Sequence, residues 1–256
     1  MAEVRQVGAL LLATGVGLTI WSFADRESND RHEVSERISE VRLASSSADV
    51  TIRTDDVDKT VVEEQRTYWF LKRGKGYEVN GSTLKLDGDC GWQCRADYVI
   101  TVPRGTKVTG ENGSGDLEFY GVGSVDARSQ SGDVLVEDVT GDVKVELTSG
   151  DLSIDRVTGK VELESTSGDV EATRLKGGPV TAKTTSGDVK VELDEAADVT
   201  AEGRSGDVEI TAPAGSYRTE TSTRSGDVEN AFGQTSDGTR LLKATTVSGD
   251  VELHSR

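Results

Sequence analysis

Ser-Gly-Asp occurs eight times in this chain, beginning at Ser114, Ser131, Ser149, Ser167, Ser186, Ser205, Ser225 and Ser248. The intervals are 17, 18, 18, 19, 19, 20 and 23 residues. Each copy leads into a short β-prone run such as Val170-Glu171-Ala172 or Val208-Glu209-Ile210. A fixed period near this length marks a repeat architecture, in which each unit buries its apolar face only against its neighbours.

One period shows the plan. Ser149-Gly150-Asp151 is a turn, and Leu152-Ser153-Ile154 alternates inward and outward. Val157-Thr158-Gly159-Lys160 is a second turn, and Val161-Glu162-Leu163 alternates again before Ser167. Second turns recur at Thr140-Gly141-Asp142, Lys176-Gly177-Gly178 and Ala214-Gly215-Ser216. Each coil of roughly 18–20 residues thus holds two strands and two corners. The expected fold is all-β: a flattened, two-sided parallel β-solenoid (β-helix). The general rule for parallel crossovers makes it right-handed. Val134, Leu152, Val170, Val189, Val208, Val228 and Val251 form the inward column. Leu135, Ser153, Glu171, Lys190, Glu209, Glu229 and Glu252 form the outward one. The last coil, ending at Arg256, reads as an edge strand, so self-association through terminal coils is one option. Ala172, Ala182, Thr184 and Ala201 give a thin core, which fits an apolar content of 34%.

The chain divides into five stretches. Residues 1–6 precede a run without charge over 7–24, VGALLLATGVGLTIWSFA, which is near the minimum for a membrane span. Residues 25–35 read as a polar linker, 36–107 as an irregular N-terminal β part and 108–256 as the regular coils. Ser47-Ala48-Asp49-Val50 is a degenerate first copy of the repeat. A retained single-pass anchor with residues 1–6 in the cytoplasm is favoured, because basic residues are few before the apolar run. Cleavage after a signal peptide is the rival, since Ser22 and Ala24 resemble a small-x-small site. Either reading carries the bulk of the chain out of the cytoplasm.

Three groups of residues are candidates for chemistry. The first is the corner repeat: Gly115-Asp116, Gly132-Asp133, Gly150-Asp151, Gly168-Asp169, Gly187-Asp188, Gly206-Asp207, Gly226-Asp227 and Gly249-Asp250. Glycine supplies positive φ and the aspartate oxygen accepts a backbone N–H, so corner capping is the favoured role. The alternative is a calcium-stabilised module using Asp133, Asp151, Asp169, Asp188, Asp207 and Asp227. The second group is RTYWFLKRGKGY, where Arg66, Lys72, Arg73 and Lys75 interleave with Tyr68, Trp69, Phe70 and Tyr77. It reads either as a ligand-binding patch or as a hairpin covering the end of the stack. The third is Cys90 and Cys94. The two histidines, His32 and His254, have no metal-motif spacing to them, so a local disulfide is the favoured reading.

The net charge of −17 argues against nucleic-acid partners. The chain has no Gly-x-Ser-x-Gly, His-Glu-x-x-His or phosphate loop, so no enzymatic activity and no cofactor are expected.

The Ser-Gly-Asp-Val coils, the strand Tyr98 to Pro103 ending in Val-Pro-Arg-Gly, and the N-terminal apolar run resemble the bacterial "putative adhesin" family, a domain of unknown function. The resemblance covers about residues 36–256. It implies a membrane-anchored β-solenoid at the cell surface and carries no catalytic residues. The expected role is a non-catalytic adhesin or envelope-binding module. Its partners would be the membrane through the N-terminal helix and a glycan, wall polymer or surface protein. A self-associating envelope scaffold and a stress-response accessory protein are the alternatives.

Overall fold

The computed structural model describes residues 26–45, 47–68, 75–87, 94–233 and 238–256. The apolar run at 7–24, Trp69, Phe70, Lys72, Arg73 and the Cys90–Cys94 pairing lie outside the described residues. Among the described residues every regular element is a β-strand, and no helix is long and apolar enough to cross a membrane.

Alternation does the building. After each Asp but Asp227, residues one and three of the strand are buried and residue two is not: Leu152 and Ile154, Val189 and Val191, Val208 and Ile210. These strands pair in parallel to form a first sheet. Val134, Leu152, Val170, Val189 and Val208 stand in register, one above the next. The strands that precede Ser-Gly-Asp form a second parallel sheet. There Val125, Val143, Val161, Val180 and Val199 are in register and buried. The two inward faces meet and make one thin, continuous core. Branched side chains suit such ladders, because both neighbours in the column present the same shape.

The second corner is softer than the sequence suggests. A turn is expected at Lys176-Gly177-Gly178, yet one strand, Val170–Ser186, runs through it and serves both sheets. A left-handed residue, Arg174 at φ 53°, bends that strand, and its register shifts between Ala172 and Leu175. The chain therefore turns without losing its ladder.

Coil order departs from chain order at both ends. Near the N-terminus the coil of Glu40–Ser45 and Ala48–Asp55 is sandwiched. Lys107–Ser114 and Leu117–Tyr120 lie on one side, and Thr83–Leu86 and Cys94–Pro103 on the other. At the far end Arg240–Thr245 and Val251–Ser255 slot between coil 199–212 and coil 217–230. The C-terminal strand is therefore internal and paired on both sides, which corrects its reading as an edge. The true edge strands are Tyr217–Ser222 and the three-residue Val228–Asn230. Val228 keeps its place in the valine column but is 45% exposed, because no coil lies beyond it.

Each end is covered. Tyr217 is 2% exposed and meets Phe232 edge-on at 5.0 Å. At the other end two antiparallel pairs close the sheets. Tyr77–Asn80 folds on Thr83–Leu86, and Arg26–Val34 lies along Thr60–Tyr68. This last strand corrects the linker reading of 25–35. Its polar sequence hides it, since an outermost strand needs few apolar residues, and over residues 29–34 only Val34 is buried, at 4% exposure.

A truncation separates the two coil orders. Deleting residues 240–256 removes an internal coil, so Tyr217–Ser222 loses its pairing partner. Amides of 217–230 should then exchange as freely as those of unfolded peptide. Retained protection there would mean that coil 217–230 docks directly on coil 199–212.

Candidate functional site

Three features stand out: the corner ladder, a buried polar cluster at the N-terminal end, and a groove along the stack.

In the corner ladder each glycine has φ between 105° and 148°, a region closed to other residues. The aspartates solve the crowding expected of stacked carboxylates. Oδ1 of each accepts the backbone N–H of the aspartate in the next coil: Asp151 N–H to Asp133, Asp169 to Asp151, Asp188 to Asp169, Asp207 to Asp188, all at 2.8–2.9 Å. The ladder starts at Asp49, so the degenerate Ser-Ala-Asp copy is a true first rung. It runs through Asp116 and Asp133 and finishes Asp207, Asp250, Asp227, following the exchanged coil order. The six aspartates of the calcium alternative belong to this column. Among the described residues no group of three or more His, Cys, Asp or Glu is placed to hold a metal ion.

The basic-aromatic segment divides. Arg66 is 3% exposed and turned inward on Thr60–Tyr68. Its Nε donates to Glu64 Oε1 at 2.7 Å, and the Gly76 N–H reaches the same oxygen at 3.1 Å. The Tyr98 hydroxyl donates to the Gly76 carbonyl at 3.1 Å. Burial, with the Glu64 carboxylate beside it, pushes the Tyr98 phenol well above its usual range. Tyr77 is also buried, its ring 6.0 Å from that of His32, while Lys75 is exposed, with its ammonium 5.5 Å from the Tyr77 ring centre. Arg66 and Tyr77 therefore close the end of the stack, and of this pair of basic residues only Lys75 faces solvent. Tyr68 ends its strand.

A groove of about 870 Å³ runs along the stack beside the corners. A charged residue three places before the Ser of each of the first six copies lines it: Glu111, Arg128, Glu146, Glu164, Lys183 and Glu202, in register from coil to coil. One place further on, Asn112, Ser129, Leu147, Ser165 and Thr184 are buried beneath it. Thr184 donates to the carbonyls of Gly168 and Ser186, so this column also ties the corner down. Arg128 Nε meets Glu146 at 2.8 Å, Lys144 meets it at 2.9 Å, and Lys243 meets Glu202 at 2.5 Å. Among the described residues Glu164 has no ion-pair partner. This column was missed in the sequence, although tabulating the third residue before each Ser would have shown it.

Hydrogen bonds from Arg128 and Lys144, reinforced by their charge, hold the Glu146 carboxyl down at about 2 against an ordinary 4.5. A depressed folded pKa gives stability that is present above the unfolded value and lost as pH falls through the folded one. Glu146→Gln should therefore melt below the parent at pH 7. The gap should close between pH 4.5 and about 2. A gap that persists at pH 2 would mean that packing, and not charge, stabilises the parent.

The second corner carries its own network. Asp138, Arg156 and Arg174 adopt left-handed φ of 53–59° in a column. Asp155, only 7% exposed, accepts from Thr173 at 2.9 Å and from both Arg156 and Arg174. Burial works against its charge, but the hydrogen bonds from Arg174 and Thr173 outweigh it and keep its carboxyl below the usual range. Non-glycine residues in this region cost about 1–2 kcal/mol each, and the ion pairs here help offset that strain.

Glycine corners, parallel ladders and capped ends define a repeat-built β scaffold. The chain belongs to the Toastrack DUF4097 family, whose model matches residues 38–255. Its fold is similar to that of a "putative adhesin" from Bacteroides fragilis NCTC 9343, at 12% identity and a TM-score of 0.51, covering 90% of this chain and 98% of that one. A "putative adhesin" from Parabacteroides merdae ATCC 43184 aligns over 89% of this chain and 96% of its own at 10% identity and a TM-score of 0.35. The likeness to the first extends to the fold alone. No curated protein matches the chain.

Proposed function

We propose that this chain is a non-catalytic surface-binding module, held at the membrane by residues 7–24, with its stack on the outer side. The observation that carries this is the capped stack itself. Its apolar core is covered at both ends, and what it offers a partner is a long, regular polar surface with a groove running along it. The groove cations Arg128 and Lys183 are engaged by Glu146 and Glu202. That arrangement suits holding a ligand better than moving protons. The description of the Bacteroides fragilis structure as a "putative adhesin" supports the same reading.

Protease shaving of intact cells, with membranes blotted for the stack, tests it. Loss of the stack from intact cells supports the reading. A stack protected until lysis overturns it and favours an intracellular scaffold. Calcium is tested separately: a melting temperature unmoved by millimolar calcium and by chelator removes the calcium-stabilised alternative.

A further inference from the structure

We infer that the groove beside the Ser-Gly-Asp corners is a cleft for a linear neutral or amino-bearing polysaccharide, lying along the stack axis with one sugar ring per coil. This deepens the surface-module reading and rests on it for its biological setting.

Spacing is the first argument. Coils in parallel register repeat every ~4.8 Å, so the six coils from Glu111 to Glu202 offer equivalent positions over ~24 Å. A β-1,4-linked glycan in its extended form advances by close to the same distance per ring. Successive rings are flipped relative to one another, so the polymer places one ring over each coil and returns the same ring face at every second coil. An extended peptide lying across the coils gains no such match, because its own hydrogen-bonding groups run along a strand edge and both sheet edges lie at the ends of the stack.

The lining is the second. Carboxylates, a guanidinium and an ammonium stand along one side, and exposed Gln130, Thr148, Thr166 and Thr185 along the other. These planar acceptors, donors and hydroxyls complement sugar hydroxyls. Four acids against two bases exclude a polyanion such as a phosphate-linked or uronic polymer. Glu164, at the middle and without an ion-pair partner among the described residues, is suited to a hydroxyl pair or an amino group.

The test is calorimetric titration of the full chain, in detergent, with β-1,4-linked N-acetylglucosamine oligomers of increasing length. A polar peptide of equal extended length serves as comparison. Affinity should climb steeply from the disaccharide to the hexasaccharide and level off beyond it. Thr148→Arg and Glu164→Lys are both at exposed positions and should each weaken hexasaccharide binding by about tenfold or more while the melting temperature stays put. No hexasaccharide binding, equal binding of dimer and hexamer, variants that bind like the parent, or tighter binding of the peptide would each overturn the inference. Exposure to protease with no glycan binding sinks the groove assignment and leaves the surface module standing. Glycan binding by a stack that proves protected does the reverse.

Discussion

Glu64→Ala is expected to destabilise the N-terminal end by about 3–5 kcal/mol, because it breaks the buried Glu64–Arg66 ion pair by removing one of its two charges. For a chain of this size that is a fall of roughly 6–15 °C in melting temperature, if the stack unfolds as a unit. Glu64 and Arg66 are each 3% exposed, and the pair also holds the Gly76 N–H. Loss of the carboxylate therefore releases the Tyr77–Asn80 hairpin as well as the ion pair. Removing both charges with Glu64→Leu and Arg66→Met should recover most of the loss, since two apolar side chains leave no buried charge unpaired. The comparison is made by urea unfolding, with proteolysis of 75–87 as a local readout. A single variant no less stable than the double would show that water reaches the pair.

Gly168→Ala is expected to cost about 3 kcal/mol or more and to break the stack at its centre. Gly168 has φ of 122°, and a Cβ there would meet the Gly150 carbonyl oxygen at 1.9 Å and its carbon at 2.6 Å. Both atoms belong to the neighbouring coil's backbone, so relief requires prising two coils apart. Gly105→Ala is the control. It shares a positive φ, 80°, but nothing lies within 4 Å of its Cβ, so about 1 kcal/mol is expected. Equal losses in the two variants would assign the glycine requirement to backbone conformation alone and not to close approach of coils.

The coil was legible because its determinants are local. The valine column, the alternation and the aspartate ladder down to Asp49 follow from residues a few places apart, and the register confirms them from Val134 to Val251. Arg26–Val34 was not legible, since an outermost strand carries little apolar pattern. The orientation of Arg66 was not legible either. A basic residue in a basic-aromatic segment looks like surface, and only the position of Glu64 two residues earlier on the same strand face draws it inward. The groove lay half in view: its charges recur three places before the first six of the eight Ser residues, yet the coil's outward face carries charges at many positions. Nothing in the one-dimensional pattern marks which of them border a concavity.

The sequence by itself determined the shape of each coil. Glycine permits the positive-φ corner in the eight Ser-Gly-Asp copies, aspartate caps it, and branched residues every second place can only face one core. Tertiary structure decided the order in which coils stack. Every coil presents nearly the same ladder edge, so neighbouring edges are interchangeable in local energy. What breaks the tie is distant: the 23-residue interval after Ser225, which lets the last coil enter between two others, and the Tyr217–Phe232 and Glu64–Arg66 caps, which close the ends that remain.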